Sequence, residues 1–202
     1  MLKKLIALIF VLCCAACPGH QSNTSFLSNK HKKIYKTSSC NPDKPFPQMV
    51  IIPFFENATQ VVPNCNLYPK HKTALSLIVF YHHWVKYFGD EDLKVKNMLE
   101  KVMITWGLNK KTSKDAYNLR GEKVSNPTIV GLTLSNTTTW VWRGRNFKIA
   151  ESSLMHELVH LSLRATIGHG DRDHEGWKYH GWTESHTKLI NESKEALRLF
   201  GI

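Results

Sequence analysis

The segment His156-Glu157-Leu158-Val159-His160 sets two imidazoles four residues apart, with a carboxylate next to the first. On a helix, residues i and i+4 share a face, so both rings can close on one metal ion while Glu157 projects beside them. Zn2+ suits this set: it accepts nitrogen ligands and brings the pKa of a water towards neutrality. Glu157 is then placed to take the proton, as general base, when that water attacks a carbonyl. Leu154, Met155, Leu158, Val159, Leu161 and Leu163 make the helix apolar on most sides. Burying two imidazoles and a carboxylate there is costly without a compensating partner, and a metal supplies one. Zinc-assisted hydrolysis of a peptide bond is the chemistry these residues predict.

A catalytic zinc needs a third protein ligand and one open position. Six of the eleven histidines (His156, His160, His169, His174, His180 and His186) fall within 31 residues, so candidates are close by. The metzincin pattern requires histidine six residues after His160; Thr166 stands there and excludes that subclass. His174 is the preferred ligand, because the 13 intervening residues let the helix end and Gly168-His169-Gly170-Asp171-Arg172-Asp173 reverse the chain. His180 and the gluzincin-like Glu184 are the alternatives, while His169 has little chain in which to turn back. Asp171 or Asp173 suits either a turn or the orientation of a ligand histidine. Tyr179 or His180 is a candidate oxyanion donor, and Trp177 and Trp182 are expected to pack or to line a cleft.

His156, Glu157, His160 and His174, followed by Glu175-Gly176-Trp177, resemble the SprT-like zincins over about Ala150 to Ile190. The resemblance implies a zincin-like domain whose HExxH helix packs on a small, mostly antiparallel sheet, with one Zn2+ per chain and a peptide or protein substrate. Two features depart from that family: Glu175 follows His174 where glycine is usual, and neither a cysteine zinc ribbon nor a DNA-binding appendage is present. His180-Gly181 fits the dipeptide but lies farther along. The competing reading is a non-catalytic zinc-binding envelope lipoprotein with a structural or partner-binding role, which a fourth protein ligand on the metal would mark.

The start of the chain bears on location. Met1-Leu2-Lys3-Lys4 precedes a short apolar run, and Cys13-Cys14-Ala15-Ala16-Cys17 follows it. This resembles a bacterial lipobox, which implies a signal peptide over 1–16, lipidation of Cys17 and a lipid anchor in the bacterial envelope. Cleavage before Cys14, or a plain secretory signal giving a secreted or periplasmic protein, is the alternative. Residues 17–48 read as a Ser-, Asn-, Lys- and Pro-rich tether and 49–202 as the metallopeptidase domain. An oxidising compartment permits a disulfide between Cys40 and Cys65; neither has the CxxC spacing of a cysteine zinc site.

The elements that must position the motif follow from periodicity. The chain is 42% hydrophobic and 21% charged, which indicates a packed body, and no apolar run suits a multi-span membrane protein. The net charge of +11 raises nucleic acid as a partner, but an exported chain does not meet chromosomal DNA, so none is expected. A strand is predicted over Met49–Phe55, a helix over Thr73–Phe88 stopped by Gly89, a second over Asp92–Lys101, and a strand over Val102–Trp106. His82 and His83 point about 100° apart on the first helix, which favours structural roles. Thr128–Leu134 and Thr137–Trp142 read as a hairpin. Asn146 is expected to cap the HExxH helix, running to Thr166 and ended by Gly168, and a last helix covers Thr183–Phe200. Helices, then strands, then helices predict an α+β domain.

Overall fold

The computed structural model describes residues 43–202 other than 53–54, 56–57, 64–67, 113–114, 118–122, 172–173 and 175–179. Phe46, Gln48 and Val50 alternate with Pro47 and Met49, and this period of two turns the first set inward in strand β1 (Phe46–Val50). β1 pairs antiparallel with β2 (Ala58–Val62), Phe46 opposite Val62 and Val50 opposite Ala58. The first strand therefore starts and ends earlier than the predicted Met49–Phe55.

Helix α1 (Lys70–Phe88) and the short α2 (Lys94–Leu99) carry the chain over one face of the sheet to β3 (Met103–Gly107). α1 buries Thr73, Leu77, Phe80 and Trp84, one stripe at helical spacing, and ends at Gly89 in the left-handed region (φ 71). α2 is shorter than the predicted Asp92–Lys101; the Asp90 carboxylate accepts from the backbone N–H of Val95 and Lys96 and fixes its start. His83 takes the structural role expected of it: it is buried, and its Nδ1 lies 3.0 Å from Ser193 Oγ.

Beyond β3 the chain makes an arm of two short ladders, β4 (Lys111–Thr112) with β7 (Thr128–Ile129) and β5 (Asp115–Tyr117) with β6 (Lys123–Ser125). The predicted hairpin follows as β8 (Gly131–Thr133) and β9 (Thr138–Trp142). The main sheet has the order β1-β2-β3-β9-β8. It is mixed, which corrects the expected mostly antiparallel sheet: β1–β2 and β8–β9 are antiparallel, β2–β3 and β3–β9 parallel. The reason is topological. α1 and α2 form a crossover between β2 and β3, and the arm plus β8 brings the chain back beside β3 in the same direction. The α+β class stands.

A second correction concerns the HExxH helix. α3 spans Leu154–Ile167 and does not start at Asn146. Asn146 (φ 51) and Phe147 (φ 56) are both left-handed, and two short 3-10 turns at 145–147 and 149–151 precede the helix. This path lets Phe147 pack edge-on between Tyr68 and Trp106, with centroids 4.9 and 4.8 Å away. Gly168 (φ 87) closes α3 as predicted. Helix α4 (Glu184–Leu199) starts with a capping box in which Thr183 and His186 bond each other's backbone N–H.

The core lies between the sheet and the helices. Ile104, Trp106 and Val141 from the sheet meet Leu77 and Phe80 of α1, Leu154, Leu158 and Leu161 of α3, and Leu189 and Leu197 of α4. No helix among the described residues is long and apolar enough to cross a membrane.

Candidate metal centre

α3 packs against β8 and β9 with Leu158 and Leu161 fully buried, which fixes its rotation about its own axis. That rotation turns His156 and His160 to one side. Their Nε2 atoms are 3.1 Å apart, and His174 Nε2 lies 3.1 Å from that of His156. These three residues form a group with all ligand atoms within 4.8 Å of one another that could hold a metal ion. The loop after Gly168 delivers His174 through left-handed positions at Asp171 (φ 44) and His174 (φ 50), with the His174 N–H donating to the Asp171 carbonyl at 3.3 Å.

Two contacts orient the group. The Gly170 carbonyl accepts from His160 Nδ1–H, which leaves the lone pair on His160 Nε2, the atom facing the other rings. Trp182 packs against all three imidazoles, its ring 4.9 to 5.0 Å from each. The backbone N–H of Trp182 donates to the buried Asp171 carboxylate, which ties this platform to the loop that carries His174.

The electrostatics favour neutral imidazoles. Burial holds the His160 pKa down at about 4. His156 is also held well below its ordinary value, by burial first and then by the neighbouring His160, His174 and Lys194. Near neutral pH both rings keep a lone pair. Tetrahedral zinc with nitrogens at 2.0–2.1 Å sets those nitrogens about 3.3 Å apart. The 3.1 Å spacings here, the nitrogen donor set and the fixed tautomer of His160 fit such an ion.

Glu157 leaves the helix one residue on and turns towards the sheet edge. It is 4% exposed, and burial raises its pKa to about 7. The Thr133 hydroxyl, donating at 2.8 Å, and the Thr133 backbone N–H act in the opposite sense. A methyl group at Gly131 would lie 2.8 Å from Glu157 Cγ and collide with the carboxylate. The missing side chain at Gly131 is thus what admits Glu157 to the β8 edge. The HExxH spacing does not point to Gly131 or Thr133; the signal in the sequence is a glycine inside a β-rich run, a mark of close approach by another group.

Other predicted residues lie elsewhere. His180 is exposed, and Glu184 is exposed at the first turn of α4; neither joins the group. His169 Nδ1 accepts from the Asp171 N–H at 3.3 Å within the loop. His186 belongs to the capping box and stacks on Phe88 at 4.1 Å, with its pKa lowered to about 4 by burial. A cavity of about 490 Å3 lined by Trp84, Phe88, Leu163, Ile167 and His186 does not include the three histidines. Cys14, Cys17, Cys40, Cys65, Asp173, Glu175, Trp177 and Tyr179 lie outside the described residues. Comparison with known proteins found no matching family model, and no curated protein or solved structure with significant similarity to the chain.

Proposed function

We propose that the chain is a zinc-dependent metallopeptidase of zincin-like architecture, with His156, His160 and His174 as metal ligands and Glu157 as general base. The observation that carries this reading is the convergence of three imidazole Nε2 atoms beside a buried carboxylate held by the sheet edge. Three imidazoles are the protein ligand set of a catalytic zinc, which keeps a fourth position open.

A zinc ion held there would supply Lewis acidity towards a carbonyl and a water. The remaining work belongs to the chain. Gly170 fixes the tautomer of His160, Trp182 shields the ring faces, and Thr133 aims the Glu157 carboxylate. With its pKa near 7, Glu157 can both take a proton from an attacking water and pass it to a leaving amine. Among the described residues β8 is an edge strand, paired on one side only, with Leu132 and Leu134 exposed on or next to it. An extended peptide adding to that edge would run past Glu157. Anchoring to a bacterial envelope through Cys17 is part of this reading, on the strength of the leader sequence.

The test compares purified zinc-loaded protein with Glu157→Gln on an unstructured protein substrate. Both should bind one zinc per chain, and only the unaltered protein should cleave. Equal cleavage by the two would reject Glu157 as the base.

A further inference from the structure

The cavity of about 490 Å3 opens where the end of α1, the last turns of α3 and the first turn of α4 meet, and its size lies within the roughly 300–1,000 Å3 of small-ligand pockets. Its walls differ in chemistry. Trp84 and Phe88 of α1, with ring centroids 4.7 Å apart, face Leu163 and Ile167 of α3, and Phe88 and Ile167 are 38% and 47% exposed. The turn after α1 sets Asp90, Glu91 and Asp92 against one lysine, Lys94. Asp92 pairs with Lys94 at 3.3 Å, the Asp90 carboxylate accepts from neutral backbone N–H groups, and Glu91 has no ion pair among the described residues. This wall is net negative in a chain whose charge is +11.

His186 adds a polar group on a different wall. It lines the cavity, is 4% exposed, and its Nδ1 accepts from the Thr183 N–H at 2.9 Å. The ring hydrogen is therefore on Nε2, and among the described residues no acceptor stands against it. An acceptor entering the cavity would satisfy it.

The cavity and the metal centre share one face of α3. His156, His160, Leu163 and Ile167 fall at i, i+4, i+7 and i+11, a single helical stripe. The backbone at 181–182 lies across that stripe: a methyl group at Gly181 would be 2.5 Å from Ile167 Cδ1, and Trp182, the next residue, faces the imidazoles. The Trp182 ring is 5.0 Å from that of His160 and 6.0 Å from that of His186. His186 is thus within about three extended peptide residues of the metal ligands.

We propose that this cavity receives a Lys or Arg side chain of the peptide substrate, which makes basic peptides the substrate class. This rests on the peptidase reading and assigns the specificity of that same site. The stem would lie against Phe88 and Ile167, the cation would meet the carboxylates of the 90–92 turn, and a peptide carbonyl would accept from His186 Nε2–H. An exposed ion pair shifts an equilibrium by up to about fivefold, and more than one carboxylate acts here.

The experiment uses the zinc-loaded full chain and three peptides of one neutral sequence that carry Lys, norleucine or Glu at a single position. For the unaltered protein, kcat/KM should be about fivefold or more higher for Lys than for norleucine and lowest for Glu. The bonds cut, located by mass spectrometry, should fall within about three residues of the Lys. Glu91→Gln/Asp92→Asn should bring the ratio of Lys to norleucine to about one, with zinc stoichiometry retained. Ile167→Trp, which narrows the cavity from an exposed position, should weaken binding of both peptides. Absence of a Lys preference in the unaltered protein overturns the proposal, and so does a preference that Glu91→Gln/Asp92→Asn leaves intact. Binding of the same peptides to zinc-loaded Glu157→Gln, measured by calorimetry, separates the two claims. A Lys preference there that disappears in Glu157→Gln/Glu91→Gln/Asp92→Asn supports the cavity site even if no peptide is cut; cleavage that needs Glu157 but ignores the Lys leaves the peptidase reading standing and removes this one.

Discussion

Two buried polar clusters in this chain have opposite chemistry. Under β1–β3, Gln60 donates to Gln48 Oε1 at 2.7 Å and accepts from the Thr73 hydroxyl at 2.8 Å and from Trp106 Nε1 at 3.1 Å. Each donor there meets an acceptor within the protein, so the cluster closes on itself and ties three strands to α1. Around α3, His156 Nε2 lies 3.1 Å from the Nε2 of His160 and from that of His174, with burial disfavouring protonation of His156 and His160. This group could hold a metal ion. A polar cluster satisfied by its own residues holds the fold together; one of neutral imidazoles with converging ring nitrogens suits a ligand.

This contrast can be broken first at the metal centre. His160→Ala should lower zinc affinity by more than 100-fold, since even groups that only orient a ligand contribute 10–100-fold. Zinc titration against a competing chelator measures it, and the fold, followed by circular dichroism, should persist. In the other cluster, Gln60→Leu removes the hydrogen bonds that Gln60 makes with Gln48, Thr73 and Trp106. It should cost about 2–4 kcal/mol in denaturant unfolding while the protein still binds one zinc. If Gln60→Leu abolished zinc binding in folded protein, the two clusters would not be independent.

Smaller effects sharpen the comparison. Gly131→Ala puts a methyl group against Glu157 and should reduce cleavage about tenfold or more without loss of zinc, because a displaced base spoils alignment. The metal-free protein should also be sensitive to acid. His160 and His186 have folded pKa values lowered to about 4, below their unfolded values near 6.5. The unfolded chain therefore binds the protons first, and stability is lost as pH falls from about 6.5 towards 4. A Tm series across that range should decline, and zinc loading should oppose the decline until the ligands protonate. A flat Tm profile in the metal-free protein would show that these imidazoles are not buried in neutral form.

Much of the candidate site was legible because helical spacing is local: His156, Glu157 and His160 need only the i, i+4 rule. His174 required an argument about chain reversal, and the left-handed Asp171 and His174 show how the loop achieves it. What spacing did not show was tertiary. Thr133 and Gly131 reach Glu157 across 24 and 26 residues of chain, through a strand pairing that periodicity does not register. The same limit explains the sheet, since strand direction depends on the crossovers and not on the strands' own pattern. Asn146 has the residue type of a cap, but burial of Phe147 decides the local backbone. The residue type suits Trp182 to packing or lining a cleft; that it faces all three imidazoles goes with the Asp171 contact at its backbone.

The central claim is that three imidazoles hold one zinc with a position left open beside Glu157. X-ray absorption at the zinc edge of the loaded protein tests it most directly. The account predicts three nitrogen ligands and one exchangeable oxygen at about 2.0–2.1 Å, with one nitrogen lost in His174→Ala. Four protein ligands, or a spectrum unchanged by His174→Ala, would contradict it.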